Sequence, residues 1–424
     1  MSSTDQSRVD PASVPRPVSR EDVAIARNFS LKDLSDTFYD DPYPTYRALQ
    51  SADPIHRMPD GSLFLTRHRD LEAIYKDTTR FSSDKKIEFA PKYGADSLLF
   101  QHHTTSLVFN DPPLHTRVRR LIAGALNPRA IAGMEPGLTA LVDRLLDDMA
   151  ARGKADLIED FASAIPVEVI GNLLAVPHRD RAPLRGWSLA ILGALEPFLS
   201  EDAQARGERA VGEFLAYLRD LVADRRARPG DAEHDVLTRL IQGEPNGERL
   251  SEVELLQNCI FILNAGHETT TNLIGNGLEL LLRFPDERRR LIEDPALIKS
   301  AIEEFLRFES SNQLGNRRTV QDAEIDGVAI PQGSLITLCI GAANRDPDVF
   351  EQPECLDISR APNRHLAFAS GAHACVGLTL ARLEGRIAIG RLLARFPNFA
   401  ATGPAHRARR VRFRGFTSLP VTLI

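Results

Sequence analysis

A long stretch in the second half of the chain lacks helix-breaking residues, and this feature constrains the fold most. Ser251-Glu252-Val253-Glu254 has the pattern of a capping box, and no proline follows until Pro285. A helix between these points would be about 45 Å long at 1.5 Å per residue, which is enough to cross a whole domain. Polar residues such as His267 and Glu268 interrupt its apolar run. The pattern therefore predicts a helix inside a globular protein rather than a membrane span.

Most of the remaining chain also has helical spacing, and the predicted strands are short. Two strands are expected at 324–330 and 334–340, and the segment 85–108 shows no sustained periodicity, which is typical of an irregular cover over a site. The 424 residues are 43% apolar, and no linker rich in Gly, Pro or Ser divides them. We therefore expect a mobile N-terminal tail at 1–28 and, at 29–424, one large domain that is mainly α with small β-sheets.

Charge and cysteine content exclude several classes of protein. The net charge of −6 argues against a general nucleic-acid binder. Arg410, Arg412 and Arg414 alternate with apolar residues, and we interpret them as one face of a half-exposed strand. The four cysteines contain no Cys-x-x-Cys pair, so neither a disulfide framework nor a zinc ribbon is indicated. This cysteine pattern favours a reducing cytoplasm.

Cys375 stands in a context that differs from that of an inert buried thiol. It lies between Gly371 and Gly377, which permit a sharp turn and a close approach of the backbone to a flat ligand. Helical spacing follows at once, so the thiol is expected in the first turn of a helix, where backbone amides favour the thiolate that binds metals. A zinc site of the His-Glu-x-x-His type is excluded, because Thr271 occupies the position of its second histidine.

Four separated motifs resemble those of one family, the soluble bacterial cytochromes P450, from about residue 41 to the C-terminus. Phe368-x-x-Gly371-x-His373-x-Cys375-x-Gly377 is similar to the haem-binding signature of that family, a pattern expected by chance in well below about one in a million windows. Ala265-Gly266-x-Glu268-Thr269-Thr270 resembles its oxygen-activating helix motif, and Glu304-x-x-Arg307 resembles its core glutamate–arginine pair. His115-x-x-x-Arg119, after Asp111-Pro112-Pro113, resembles its haem-propionate helix.

The resemblance implies the cytochrome P450 fold and a haem-thiolate monooxygenase that hydroxylates or otherwise oxidises a small hydrophobic organic substrate. It assigns Cys375 as the axial ligand of a haem b that is bound without covalent attachment, a ligand that favours O–O cleavage. The other residues that it places around the haem are the propionate partners His115, Arg119, Arg317 and His373, the proximal residues Phe368, Gly371 and Gly377, and Ala265 on the distal helix.

The same resemblance implies the oxygen chemistry and the substrate pocket. Gly266 would make room for dioxygen, Thr269 would bond the Ala265 carbonyl, and Glu268 would deliver protons. The residues expected to line the substrate pocket are Thr105, Val108, Ile262, Leu314 and Phe416. They are mostly apolar or small, and aromatic acids, terpenoids and polyketides all remain open as substrates.

The sequence also departs from the family pattern near its core pair. On an exposed helix face Glu304 and Arg307 would form an ordinary ion pair, whereas the family places them inside a triad. Cys355 stands where an arginine often completes that triad, and the candidate replacements are Arg345, Arg360 and Arg364. Ala369 stands where the family frequently has glycine.

Partners are implied in the same way. No flavin or iron–sulfur domain is fused to the chain, so electrons from NAD(P)H would arrive through a separate ferredoxin and its reductase. A cytoplasmic monomer that binds neither nucleic acid nor membrane is expected. Two alternatives are a peroxide-using haem enzyme of the same fold, against which the Glu268-Thr269 pair argues, and a non-catalytic haem sensor or carrier.

Overall fold

Helices dominate the architecture in the computed structural model, which describes residues 18–232, 235–244 and 246–423. Short 3₁₀ segments and one π-type turn, Ile158–Ala162, connect several of them. The helices are α1 (Arg20–Asn28), α2 (Asp36–Asp40), α3 (Tyr43–Ala52), α4 (His68–Lys76), α5 (Lys86–Tyr93), α6 (Leu98–Thr105), α7 (Leu114–Ala125), α8 (Pro128–Arg152), α9 (Ala164–Leu173), α10 (Leu184–Gly193), α11 (Glu201–Ala227), α12 (Val236–Gln242), α13 (Glu252–Arg283), α14 (Pro285–Glu293), α15 (Ile298–Phe308), α16 (Ile340–Ala343) and α17 (Leu378–Arg395).

The strands are short, as expected, and form four small sheets among the described residues. They are β1 (Ile55–Arg57), β2 (Leu63–Leu65), β3 (Phe81–Ser82), β4 (Lys154–Asp156), β5 (Leu314–Thr319), β6 (Ala323–Ile325), β7 (Val328–Ile330), β8 (Leu335–Cys339), β9 (Ala400–Ala401), β10 (His406–Arg407), β11 (Phe416–Ser418) and β12 (Pro420–Thr422). The largest sheet has the order β1-β2-β8-β5-β3, and the others are β4-β12-β9, β6-β7 and β10-β11. The prediction of a mainly α protein with small sheets is confirmed.

Helix α13 crosses the interior, as its uninterrupted sequence predicts. Ser251 accepts a hydrogen bond from the Glu254 amide while the Glu254 side chain accepts one from the Ser251 amide, so the predicted capping box is present. The helix packs against α9, α10, α11, α15 and α17, and most of its residues are buried. Every described helix is too short or too polar to cross a membrane.

The prediction of a mobile tail at 1–28 is wrong for residues 20–28. Arg20–Asn28 form α1, whose start is fixed by a capping box between Ser19 and Asp22. Ala26, which is 2% exposed, joins the aromatic cluster that contains Phe29 and packs α1 against α3. The Ser-, Pro- and Asp-rich composition of the first residues obscured this short amphipathic helix. Residues 1–17 of the predicted tail lie outside the described part of the chain.

Two other local predictions need correction. The segment 85–108 contains α5 and α6, each of only eight residues, which is too short to give a clear helical period. The strand expected at 324–330 is a hairpin of β6 and β7, because Asp326 and Gly327 take positive φ angles of 49° and 78°. An Asp-Gly turn between apolar residues is a strong hairpin signal, and it was overlooked. The strand expected at 334–340 is confirmed as β8, which pairs with β5 and β2.

Candidate active site

A cavity of about 340 Å³ lies between α13 and the segment that precedes α17. Gly266 and Thr269 line one wall, and Cys375 and Gly377 line the other. Cys375 is exposed to this cavity, and its backbone amide donates a hydrogen bond to the Phe368 carbonyl at 2.9 Å. The cysteine and the predicted oxygen-binding helix therefore face the same space.

The local structure at Cys375 differs from the prediction in one respect. Helix α17 begins at Leu378, so the thiol precedes the helix instead of lying in its first turn. Burial raises the pKa of Cys375, although the Gly377 amide and the guanidinium groups of Arg119 and Arg382 act in the opposite direction. A cation bound at the sulfur would favour the thiolate, and a haem iron would supply that cation.

The turn before Cys375 is shaped for a flat ligand. Gly371 has φ +65°, and a Cβ there would lie 2.4 Å from the Tyr75 carbonyl oxygen, so glycine is required. A Cβ at Gly377 would point toward the sulfur, 4.0 Å from Cys375 Sγ, and would occupy space on the ligand face. Phe368 lines the cavity beside the thiol, and the Arg382 guanidinium lies 4.9 Å from its ring centre. Ala369 takes a left-handed φ of 55°, which explains the frequent glycine in the family.

Four predicted propionate partners meet on one part of the cavity wall. The rings of His115 and His373 lie 3.9 Å apart, and Arg119 and Arg317 line the same space. Both ring nitrogens of His115 and Nε2 of His373 are buried without a hydrogen-bond partner among the described residues. Burial and the nearby charge of Arg317 together lower the pKa of His373 to about 2, so this imidazole is neutral.

Arg317 is a buried cation that is not neutralised by the protein. It is 7% exposed, donates from Nη1 to the Asn316 carbonyl at 2.8 Å, and lies over the ring of Tyr75. Neither Arg317 nor Arg119 forms an ion pair with a carboxylate within the described ranges. Two free cations and two neutral imidazoles are the donors that two buried carboxylates require, so the site fits the propionates of a haem.

The helix wall of the site has the predicted hydroxyl contact. Thr269 Oγ1 donates a hydrogen bond to the Ala265 carbonyl at 2.7 Å. Gly266 lines the cavity as predicted, and a Cβ there would lie 2.5 Å from Ile170 Cδ1, so the Ile170 side chain on α9 would have to shift to accommodate a larger residue. The helix continues through this point without a break.

Glu268 is buried behind the cavity wall and does not line the cavity. Its Oε1 forms an ion pair with Arg410, and its Oε2 has no hydrogen-bond partner in the described part of the chain. Burial raises the pKa of Glu268, Arg410 lowers it, and the nearby Glu196 raises it. Glu196 also pairs with Arg410 at 3.3 Å, so one arginine serves two carboxylates.

The interpretation of Arg410, Arg412 and Arg414 as a half-exposed strand is wrong. Arg414 is 5% exposed and binds Glu309 at 2.5 Å, while Arg412 donates to the Leu314 carbonyl at 2.8 Å. These arginines are buried because acids and carbonyl groups from distant parts of the chain accept their hydrogen bonds. Alternation in the sequence does not reveal such partners.

Glu304 and Arg307 are fully buried and form an ion pair at 2.7 Å. They are therefore not an ordinary pair on an exposed helix face, and their position agrees with the triad that the family has in its core. Of the three candidate replacements for the missing arginine, Arg360 is the partner, because its Nε donates to both Glu304 oxygens at 3.1 and 3.2 Å. Cys355 contributes its carbonyl, which accepts hydrogen bonds from Arg307 at 3.1 Å and from Arg360 at 3.2 Å.

The prediction of the residues that line the substrate pocket is partly correct. Val108, Ile262 and Leu314 line the cavity, whereas Thr105 and Phe416 do not. Phe416 packs in the core beneath the Arg407 guanidinium, 4.0 Å from the ring centre. Polar wall residues that no prediction included are, among others, Ser83, Asn264 and Arg412, whereas Lys85, His102 and His103 belong to the segment 85–108 that was expected to cover a site. No motif surrounds them, and chain folding alone brings them to the cavity.

The fold and the site together define a haem-thiolate protein, and the comparison with known families agrees. The family model described as cytochrome P450 matches residues 189–402. The chain is 40% identical over 399 residues to the vitamin D(3) 25-hydroxylase of Pseudonocardia autotrophica, covering 92% of this chain and 96% of that protein. This chain therefore belongs to the cytochrome P450 family, and it is a P450 monooxygenase.

Two further members of the family are similar to this chain. The chain is 36% identical to the biotin biosynthesis cytochrome P450 of Bacillus subtilis strain 168, covering 92% of this chain and 98% of that one. Among solved structures, P450BioI in complex with acyl carrier protein ligated to hexadec-9Z-enoic acid superimposes with a TM-score of 0.87 at 34% identity. That match covers 92% of this chain and 100% of the other.

Proposed function

We propose that this protein binds haem b through Cys375 and uses dioxygen to oxidise a small hydrophobic organic molecule. The observation that carries the proposal is the cavity itself, which brings one thiol, two unpaired arginines and the hydroxyl of Thr269 to the same space. The bound haem supplies the redox-active iron at which dioxygen is reduced. The remaining chemistry falls to the residues of the chain.

The proposed haem contacts follow from charge and shape. Arg119 and Arg317 neutralise the two propionates, and the imidazoles of His115 and His373 hydrogen-bond to them. Phe368 and the two glycines, Gly371 and Gly377, leave a flat surface beside the sulfur of Cys375. Ala265 and Gly266 border the opposite side of the ring.

We assign proton handling to Thr269 and Glu268. The Thr269 hydroxyl is held by the Ala265 carbonyl at the cavity wall, where it can pass a proton inward. Burial raises the pKa of Glu268 above the usual value of a carboxyl group, which makes this side chain easier to protonate. Because Glu268 lies behind the wall, its proton must reach Thr269 by rotation of the side chain or through water.

The partners are proposed from the family resemblance and from the state of the cysteines. Electrons from NAD(P)H would arrive through a reductase and an iron–sulfur ferredoxin, and the protein would act as a monomer. All four cysteines are free, which supports a reducing compartment such as the cytoplasm. The relatives named for vitamin D(3) hydroxylation and biotin biosynthesis act on different compounds, so they support a hydrophobic substrate without selecting one.

A carbon-monoxide difference spectrum of the reduced, haem-loaded protein tests the central proposal. We expect the red-shifted Soret band of a thiolate-ligated haem, and we expect Cys375→Ser to remove it. Cys355→Ser is the matched control, since Cys355 is also an exposed free thiol but does not line the cavity. A folded, haem-loaded wild type without this band would refute the assignment of Cys375.

A further inference from the structure

Lys85 is a buried charge on the cavity wall that the proposed function leaves unexplained. It lies between β3 and α5 and is 4% exposed. Its ammonium group has no hydrogen-bond partner among the described residues, and the residue lines the cavity. An ammonium group without an acceptor is costly to bury. Its position on the wall of a cavity therefore indicates a ligand that supplies the missing acceptor.

The protein does not neutralise this charge. Glu88 is the acid that attracts Lys85, but one of its carboxylate oxygens is bound by Arg318 at 2.7 Å and the other forms no hydrogen bond with Lys85 or with any other described residue. Three guanidinium groups, those of Arg317, Arg318 and Arg412, repel the ammonium. Together with burial, this repulsion lowers the pKa of Lys85 to about 8, so the group is still protonated near neutral pH.

The haem propionates do not account for Lys85 either. Two propionates carry two negative charges, and the two cations Arg119 and Arg317 already balance them. A third cation in the cavity wall is therefore left without a counter-charge when the haem is bound.

Arg412, a further cation on this wall, is fixed by the protein. Its guanidinium donates to the carbonyls of Leu195 at 3.2 Å and of Leu314 at 2.8 Å, and it is attracted by Glu196. Arg412 therefore strengthens the positive potential of the cavity while most of its donors are occupied. Lys85 remains as the group with free donors and one uncompensated charge, which matches a monoanion.

We propose that the substrate is an apolar molecule with a single carboxylate, and that Lys85 binds this carboxylate inside the cavity. Ile170, Leu173 and Ile262 offer the apolar contacts for the rest of the molecule. This inference rests on the proposed function, because it identifies the substrate class of the same site. Lys85 is a specificity-determining residue under this proposal and takes no part in oxygen chemistry.

Isothermal titration calorimetry on the full-length haem protein at pH 7 tests the inference. The probes are octanoate, dodecanoate, hexadecanoate and 4-butylbenzoate, each compared with its methyl ester. We expect at least one acid to bind about tenfold more tightly than its ester. Lys85→Met should weaken binding of that acid on the order of thirtyfold, because one partner of a buried charge pair is removed, and should change ester binding by less than about threefold. Lys85→Arg should retain the preference.

Lys92→Met provides the matched control. Lys92 is a second lysine of this segment with a pKa lowered to about 8 by burial, but its ammonium donates to the Glu196 carbonyl at 2.8 Å and the residue does not line the cavity. Its replacement should leave the binding of acid and ester unchanged. Equal loss of acid binding in the Lys92 and Lys85 variants would contradict a specific contact.

Two results would overturn the inference. The first is a wild type that binds no acid more tightly than its ester, a comparison that needs no variant. The second is an acid preference that survives in Lys85→Met. If the rate of haem transfer from that variant to apomyoglobin is then also faster, Lys85 is a propionate partner instead. A missing thiolate band in the carbon-monoxide spectrum would refute the proposed function instead, and calorimetry would still decide the inference.

Discussion

Replacing Arg410 with methionine tests whether Glu268 supplies protons. Arg410 is the ion-pair partner of Glu268 and also holds Glu196 at 3.3 Å. Methionine keeps much of the buried volume but removes the charge. Glu268 would then be a buried carboxylate without a cation and with Glu196 still nearby, and both conditions favour its protonated form.

The size of the effect follows from the lost contact. A hydrogen bond to a charged partner contributes about 1.5–3 kcal/mol, which corresponds to a factor of roughly 10–100 in the protonation equilibrium of Glu268. The pKa of Glu268 should rise in Arg410→Met, because Arg410 lowers this pKa in the wild type. If protonated Glu268 is the proton donor, the loss of coupling at high pH should move to higher pH by about one to two units.

The assay is the ratio of product formed to NAD(P)H consumed, measured across the pH range. Infrared spectroscopy should show the protonated carboxyl band of Glu268 persisting to higher pH in Arg410→Met and absent in Glu268→Gln. Arg409→Met is the control, because Arg409 is an exposed neighbour that pairs with Asp36 on the surface. A pH profile that is identical in Arg410→Met and wild type would refute the role of Glu268 as proton donor.

Three further variants give separate tests. Thr269→Ala should divert electrons from NAD(P)H into hydrogen peroxide, because the hydroxyl that is bound to the Ala265 carbonyl is lost. An unchanged ratio of product formed to NAD(P)H consumed would contradict the role of Thr269 in proton transfer. Arg360→Met should lower Tm by about 3–7 °C, because two hydrogen bonds to the buried Glu304 carboxylate, worth about 3–6 kcal/mol together, are lost, and unfolding 424 residues has an entropy of about 0.9 kcal/mol/K. Differential scanning calorimetry measures the Tm, and an unchanged value would count against the triad. Ala369→Gly should stabilise the protein by up to about 1 kcal/mol, because φ is 55°; a lower denaturant midpoint would contradict this reasoning.

The cavity-lining residues that we propose for haem binding could be predicted because their spacing is local. Cys375, Gly371 and His373 lie within one turn, so a short pattern fixes their relative positions, and the structure places them along one cavity. Thr269 reaches the Ala265 carbonyl because the two residues are four apart on a helix. Within a helix or a tight turn, the spacing of residues in the sequence therefore predicts their relative positions in the structure.

The partners of buried charges could not be predicted in the same way. Arg360 approaches Glu304 across 56 positions, and Arg410 approaches Glu268 across 142. Such contacts depend on how helices and connecting segments pack. The sequence also gives no sign that Lys85 is buried, because a lysine beside a turn is usually solvated.

The segment from Arg410 to Arg414 shows why these distant contacts matter for the site. Arg410 reaches Glu268 behind the oxygen-binding helix, and Arg412 lines the cavity. Both arginines contact Glu196, which lies in the connection between α10 and α11. Glu196 forms an ion pair with Arg410 and accepts a hydrogen bond from the Arg412 backbone amide at 3.2 Å. A displacement of Glu196 would therefore change the charge around Glu268 and around the cavity together. Under the two proposals, proton supply by Glu268 and recognition of an anionic substrate would therefore depend on the same group of buried charges.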